Sequence, residues 1–362
     1  MTERKAYISY IRALACIGIV FLHTFTMCTM AYPDQMNGVY KEVFYLIPYL
    51  MMWAVPCFVM VTGTLLLDNA KNITYGKVFK KYIPRVLKAL IICVIVFRFL
   101  DVWMNKEKFS AAVFKDMLYK FYTATSWAHL WYLYLIIGLY LLMPVFKKIT
   151  ENFETKDLLI LCTIYVVFVS VVPLLNDMTG ITTGFYITTN SIFPAYLIMG
   201  HMIDSDKFRI RKSVACICLI LGAVSIVVIN HIGINTGDEK VSSLISKNLG
   251  SYAFIPVLIM SVGAFSLLGQ IGKNKKDETT RSFFGKWLLS VDKCSFGIYL
   301  IHLVFLRYVF KCTDFNPFDH SAVPAACIFA TAVFILSYGS VWIYNLIVNK
   351  IVGDKKKNET KE

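Results

Sequence analysis

The first apolar segment of the chain contains an arginine and a histidine eleven residues apart, Arg12 and His23. At about 100° per residue of an α-helix, both side chains lie on one face, about 16 Å apart along the axis. Histidine exchanges a proton near neutral pH, and ionisable groups inside an apolar helix are usually functional. The pair therefore indicates proton-transfer chemistry. The alternative is that Arg12 reaches the lipid headgroups while His23 hydrogen-bonds another helix.

Two other histidines belong to apolar segments that could converge on His23. His302 lies inside the ninth such segment at a depth similar to His23, and His129 begins the fourth segment at the outer surface. We interpret His302 as a residue that binds or supports an acceptor. His129 stands beside Trp127 and Trp131, a setting that favours a structural role at the membrane interface. A metal site is disfavoured, because no carboxylate or second histidine stands at ligand spacing on these segments.

Polar residues in the outer half of the protein supply further candidates for an acceptor site. Arg98 and Arg307 would bind an anionic or sugar substrate, or would anchor their helices at the interface, and we keep both interpretations open. Asn190, with Ser191 beside it, and Arg98 are candidates for stabilising an oxyanion. Asp101 is the carboxylate best placed to orient the histidine of the first helix.

A dense basic cluster precedes and enters the third apolar segment. It consists of Lys80, Lys81, Arg85 and Lys88. Ordinary membrane topology explains such a cluster, because lysine and arginine collect on the cytoplasmic side. The functional alternative is a cradle for phosphate groups that arrive from the cytoplasm, with Lys81, Arg85 and Lys88 as the donor-binding residues.

The elements that must carry these residues are apolar stretches of close to twenty residues. A helix needs about 20 apolar residues to cross a hydrocarbon layer of about 30 Å, and in lipid such a segment must satisfy its own backbone hydrogen bonds. We therefore predict an all-α polytopic membrane protein with ten transmembrane helices. Their predicted ranges are 7–31, 43–67, 82–103, 129–148, 157–176, 186–204, 213–232, 250–271, 287–310 and 323–349.

The charge of the loops predicts the orientation of these helices. With ten helices, the loops on one side hold 23 lysines and arginines and the loops on the other side hold 8. Positively charged loops stay in the cytoplasm, so both termini are predicted to be cytoplasmic. The integral membrane domain is predicted to span residues 1–353, and the charged segment 354–362 to form a disordered cytoplasmic tail.

The composition argues against several other classes of protein. Hydrophobic residues make up 57% of the 362 residues and charged residues 17%, against about 45–50% and about 25% in soluble domains. The formal charge of +14 is explained by loop lysines rather than by nucleic-acid binding. The ten cysteines lie mostly inside apolar stretches and form no CxxC pair, so neither a disulfide framework nor a zinc site is predicted. No permanently bound cofactor is expected.

Four segments of the chain, in this order, resemble membrane acyltransferase family 3, in particular its surface-polysaccharide O-acetyltransferase branch. They are YIRALACIGIVFLHTF, VPCFVMVTGTLLL, HLWYLYLIIGLYLLMP and CSFGIYLIH, in the first, second, fourth and ninth predicted helices. The family's first motif, an arginine, ten residues and a histidine, matches Arg12 and His23. Its motif at the start of the third helix has two arginines three apart. Here Arg85 fits, but Tyr82 stands at the earlier position, directly after Lys80 and Lys81.

The resemblance implies transfer of an acetyl group from acetyl-CoA, the donor substrate, to a sugar hydroxyl of a lipid-linked or cell-surface glycan. The enzyme would lie among the lipids of the bacterial cytoplasmic membrane. His23 would act as general base or be transiently acylated, with Arg12 as a second catalytic residue. A polysaccharide or lipid-linked sugar exporter is the alternative, because intramembrane arginine and histidine also suit transport. The lack of internal repeats favours the enzyme.

Overall fold

A computed structural model of the protein describes residues 6–184, 191–274, 282–313 and 315–359, except the side chains of 271–274 and 352–359. Within these ranges every regular element is helical. The prediction of an all-α protein is therefore confirmed.

The helices follow the predicted apolar stretches closely. The α-helices are α1 (Ala6–Ala31), α2 (Gly38–Leu50), α3 (Ala54–Leu66), α4 (Tyr75–Lys77), α5 (Ile83–Met104), α6 (Ala111–Thr123), α7 (Trp131–Asn152), α8 (Thr155–Val166), α9 (Val172–Thr179), α10 (Phe193–Asp204), α11 (Lys212–Asn235), α12 (Glu239–Leu249), α13 (Ile255–Asn274), α14 (Phe283–Cys312) and α15 (Ala322–Glu359). Short 3-10 turns cover Pro33–Gln35, Ala128–Leu130 and Pro317–Asp319. Two π-helical turns, Val78–Tyr82 and Val167–Val171, join α4 to α5 and α8 to α9.

Among the described residues, seven helical stretches are long and apolar enough to cross a membrane. They are Ala6–Ala31, Gly38–Leu66, Ala128–Asn152, Thr155–Thr179, Lys212–Asn235, Phe283–Cys312 and Ala322–Ile351. Helices also occupy the other three predicted positions, but α5 carries several charged residues, α10 has only 12 residues and the apolar part of α13 is short. A polytopic membrane protein is therefore confirmed, whereas the count of ten spans and the cytoplasmic termini stay predictions.

One predicted helix differs from the sequence-based expectation. The second predicted helix, 43–67, is divided into α2 and α3 by a turn at residues 51–53. Pro56 lies just inside α3 and lacks the N–H that a continuous helix would bond to the carbonyl four residues earlier. At the end of the chain α15 is described as far as Glu359, residues 360–362 lie outside the described residues, and the division at residue 353 into a membrane domain and a tail stays a prediction.

The chain divides into two compact units, residues 1–54 with 270–362 and residues 55–269. In the first unit α1 packs along α14, α15 packs on both of them, and α2 packs against α1 and α15. The aromatic side chains of Phe25 and Phe44 are completely buried together near Ala322, which fastens α1, α2 and α15 to one another.

In the second unit α3 and α10 approach so closely that their contact requires glycine. A Cβ atom added at Gly63 would overlap the carbonyl oxygen of Leu197, and one added at Gly200 would overlap that of Met60. The Thr64 hydroxyl donates a hydrogen bond of 2.9 Å to the Gly200 carbonyl. Small residues and interhelical hydrogen bonds of this kind hold helices together in lipid, where the hydrophobic effect between helices is absent.

The predicted orientation can be tested with single cysteines in a Cys-less protein. We expect Asp34→Cys and Glu239→Cys, both at exposed positions, to react with an impermeant thiol reagent on whole cells. Arg209→Cys, exposed in a loop of the positively charged side, should react only after permeabilisation. Labelling of Arg209→Cys on intact cells, with the other two protected, would mean that the protein is inverted. The extent of labelling is read as a mass shift on a gel.

Candidate functional site

His23 on α1 and His302 on α14 are in direct contact. The His302 Nε2 atom lies 3.1 Å from the His23 Nδ1 atom, and the ring centroids are 5.0 Å apart. His302 is completely buried, whereas His23 is half-buried. The structure thus brings together two of the histidines that the sequence places at a similar depth.

The hydrogen bonds of the two rings indicate where their protons lie. The His23 Nδ1 atom is 3.0 Å from the Ile19 carbonyl oxygen, and the His302 Nδ1 atom is 3.1 Å from that of Ile298. A carbonyl oxygen only accepts hydrogen bonds, so we assign the proton of each neutral ring to Nδ1. His302 Nε2 then has a lone pair that accepts from the Nδ1–H of His23, and this one hydrogen is shared with the Ile19 carbonyl. In this tautomer the basic nitrogen of His23 is Nε2.

An ion pair lies earlier along the same two helices. The Arg12 Nε atom is 3.2 Å from Asp292 Oδ1, and Arg12 Nη2 donates to the Ser295 hydroxyl at 3.1 Å. The Asp292 side chain is 1% exposed and that of Arg12 is 24% exposed. The Ser295 hydroxyl in turn donates to the backbone carbonyl of Asp292 at 2.8 Å, and the Cys16 thiol donates to the backbone carbonyl of Ser295 at 3.7 Å. The charge of Arg12 is therefore compensated inside the helix bundle.

Asp292 was not among the residues singled out from the sequence, although its spacing offers a signal. Asp292 and His302 are ten residues apart on α14, and Arg12 and His23 are eleven apart on α1. Ten and eleven residues of α-helix rise about 15 and about 16 Å. If α1 and α14 are parallel and Arg12 lies beside Asp292, His23 therefore lies beside His302. The two observed contacts show that α1 and α14 do run parallel.

The basic cluster at the start of α5 is exposed. Lys81, Arg85 and Lys88 are separated by four and three residues, so they share one face of the helix. In the described part of the chain, neither these three residues nor Lys80 forms an ion pair. The π-helical turn Val78–Tyr82 contains the first two lysines of the cluster, and such turns often occur at functional sites. The cluster is accessible to an anionic ligand.

Arg98 is engaged by carboxylates of the protein itself. Its Nη2 atom lies 2.8 Å from Glu107 Oε2 and its Nε atom 2.6 Å from Asp116 Oδ2, and its side chain is 10% exposed. The hydrogen bond from Arg98 holds the pKa of the Glu107 carboxyl below its usual value. These contacts fasten α5 to α6 and favour the anchoring interpretation of Arg98 over substrate binding.

Asp101 and His129 each contact residues near the outer end of α5, and these contacts favour a structural role for both. Asp101, expected to orient His23, accepts two hydrogen bonds of 3.1 and 3.0 Å from the Trp127 indole N–H. Trp127 stacks on Phe97 with a centroid separation of 4.2 Å, and the buried His129 ring packs against Phe97 at 5.6 Å. The ring that the structure places against His23 is that of His302 instead.

The remaining acceptor candidates stay predictions. Arg307 is half-buried on α14, five residues beyond His302, and Ser191 is half-buried before α10. Asn190 lies outside the described residues. Within the described ranges, no group of three or more histidine, cysteine or acidic side chains is placed to hold a metal ion.

Comparison with known protein families gives a match over nearly the whole chain. The profile of a family described as an acyltransferase domain covers residues 5–342, a range that includes both histidines, the ion pair and the basic cluster. No curated protein and no solved structure matches the chain.

Proposed function

We propose that this chain, which belongs to membrane acyltransferase family 3, transfers an acetyl group from cytoplasmic acetyl-CoA to a sugar hydroxyl of a cell-surface or lipid-linked glycan. The observation that supports this proposal best is the 3.1 Å contact between His23 and His302 in a chain of that family. Acyl transfer to a hydroxyl needs a base beside the hydroxyl, and an oriented histidine supplies one. The proposed location is the bacterial cytoplasmic membrane.

In the proposed direct transfer, His23 Nε2 takes the proton of the acceptor hydroxyl while the hydroxyl oxygen attacks the thioester carbonyl carbon. The carbon–sulfur bond then breaks, and the departing CoA thiolate takes the proton back from the imidazolium. His302 Nε2 accepts from His23 Nδ1–H, which fixes the tautomer and stabilises the imidazolium. In a two-step route, His23 Nε2 would itself attack the thioester carbonyl and expel the CoA thiolate, which forms an acyl-histidine. The acceptor hydroxyl would then displace the imidazole from the acyl group and give its proton to the CoA thiolate.

Arg12, expected from the sequence to be a catalytic residue, is better supported as a positioning residue. It is bound to Asp292 and Ser295, and these contacts hold α1 against α14. The same two helices carry the histidine pair, so their packing sets the distance between the rings. A change at Arg12 would therefore act on catalysis through the position of His23.

The exposed basic cluster is proposed to bind the phosphates of the donor. We expect Lys81→Ala and Arg85→Ala each to raise the KM for acetyl-CoA about tenfold or more, because hydrogen bonds to charged groups are stronger than neutral ones. Lys148→Ala is a matched control, since Lys148 is also exposed on the predicted cytoplasmic side. Initial rates against acetyl-CoA concentration give the KM values. Unchanged KM in both cluster variants would return these residues to a purely topological role.

The proposed function is tested by incubating the purified full-length protein with labelled acetyl-CoA and a panel of polymeric and lipid-linked glycans. We expect label to appear on at least one glycan in an alkali-sensitive linkage, as an O-acetyl ester requires. Vesicles that contain the protein test the exporter alternative in parallel. If the vesicles transport unmodified glycan and no reaction gives labelled glycan, the exporter interpretation would replace the acyltransferase interpretation.

A further inference from the structure

A cavity of about 460 Å³ lies within the second unit, between the α8–α9 stretch, the start of α10 and the segment that follows α12. Its size is within the range of about 300–1,000 Å³ that is typical of small-molecule sites. Ser170, Asp177, Phe193, Lys247 and Tyr252 are among the residues that line it. Nothing in the acyl-transfer mechanism uses this cavity.

Ser170 gives this cavity a polar group that has no partner among the described residues. The side chain is 6% exposed, and its hydroxyl makes no hydrogen bond to any described residue. A serine in an apolar helix commonly donates to the carbonyl four residues earlier, as Ser337 does to Val333 at 2.7 Å. Ser170 instead belongs to the π-helical turn Val167–Val171, whose wider turn changes the positions of the preceding carbonyl groups. Because a buried hydroxyl without a partner is costly, a ligand that enters the cavity is the natural partner.

The other walls of the cavity fit a neutral ring that carries hydroxyl groups. Lys247 Nζ and Asp177 Oδ2 form an ion pair of 2.6 Å on its lining, which offers donors and acceptors without net charge. Phe193 and Tyr252 pack with ring centroids 5.6 Å apart, and Trp131 packs against both rings. Aromatic side chains provide a large apolar surface for the C–H face of a ring. Because Asp177 neutralises the charge of Lys247, the ion pair gives the cavity no net positive charge that would attract an anion.

The cavity also lies on the side of the protein where a glycan is expected. It is lined by the end of α9, the start of α10 and the end of α12, and the predicted topology places all three at the external surface. We propose that this cavity is a saccharide-binding site, in which Ser170 hydrogen-bonds a hydroxyl of a neutral sugar ring. The proposal rests on the proposed function only in assigning that sugar to the acceptor glycan.

Binding of free sugars to the purified full-length protein tests this site without any acyl donor. The probes are glucose, galactose, N-acetylglucosamine, rhamnose and their disaccharides, measured by saturation-transfer NMR titration. We expect at least one probe to bind, Ser170→Ala to weaken it about five- to tenfold, and Ala253→Trp, which fills the cavity, to abolish binding. Ser337→Ala is the matched control, because its hydroxyl is buried but already bonded to its own helix.

Thermal unfolding without sugar separates a ligand-binding hydroxyl from a structural one. Ser170→Ala should keep or raise the Tm, because it removes a hydroxyl that bonds to no residue in the described ranges. A lower Tm in Ser170→Ala would identify a structural hydroxyl and overturn the proposal. So would the absence of binding by every probe, or equal affinity in the wild type, Ser170→Ala and Ala253→Trp. Since no acetyl-CoA is present in these experiments, their failure would not bear on the proposed acyl transfer, which is tested separately with labelled acetyl-CoA.

Discussion

Replacing His23 by alanine is expected to lower the rate of glycan acylation by about 10²–10⁴-fold, the usual cost of losing a general base. His23 is the half-buried member of the pair, and its Nε2 is the basic nitrogen in the tautomer that the hydrogen bonds indicate. Initial rates with saturating acetyl-CoA and acceptor measure the effect. The variant should insert and unfold like the wild type.

His320→Ala serves as the control for this experiment, because His320 is an exposed histidine outside the pair. His302→Ala should reduce the rate by less than His23→Ala, since His302 acts through the orientation of His23. His302→Gln should recover part of that loss, because its side-chain oxygen can accept from His23 Nδ1–H. A wild-type rate in His23→Ala would remove this residue from the mechanism.

Replacing Asp292 by alanine is expected to have the largest effect on stability, a loss of about 3 kcal/mol. Asp292 is almost completely buried, and its removal leaves the mostly buried charge of Arg12 without its carboxylate. The free energy of unfolding in mild detergent measures the loss. Lys120→Ala, which breaks the partly exposed pair with Asp116, should change the free energy of unfolding by less than about 1 kcal/mol.

The double variant Arg12→Met/Asp292→Leu separates charge from position. Apolar residues of similar volume often replace a buried ion pair without loss of stability, so the double variant should recover most of the stability lost in Asp292→Ala. If Arg12 positions the histidine pair, kcat should stay below the wild-type value while the KM for acetyl-CoA is unchanged. Recovery of full kcat would show that any well-packed contact at this point of α1 and α14 suffices.

The helices could be predicted from the sequence because a membrane span requires about twenty apolar residues in a row, a pattern that can be read within one segment. The shared face of Arg12 and His23 follows from helix geometry alone. That His302, rather than His129, contacts His23 depends on which helices pack together. The pairing of α1 with α14 joins residues 279 positions apart, and the only signal for it in the sequence is the similar spacing of Arg12 and His23 and of Asp292 and His302.

Other features depend on hydrogen-bond details that an apolar sequence hides. Arg98 looks like a substrate ligand when α5 is considered alone. Only the fold shows that Glu107, in the connection after α5, and Asp116, on α6, bind it. Ser170 looks like an ordinary helical serine, and only Pro173, which lacks the N–H of a continuous helix, marks an interruption near it. Long-range pairing and irregular helix turns are the two sources of what the sequence alone did not predict.

The role of the His23–His302 pair is tested most directly by acetyl transfer across a sealed membrane. Vesicles that hold the protein in its predicted orientation are loaded with labelled acetyl-CoA, and the acceptor glycan is supplied on the opposite side. We predict that label reaches the external glycan with the wild-type protein and with His320→Ala, and that this transfer falls at least about 100-fold with His23→Ala. Equal labelling of the glycan by the wild type and by His23→Ala would contradict the proposed mechanism.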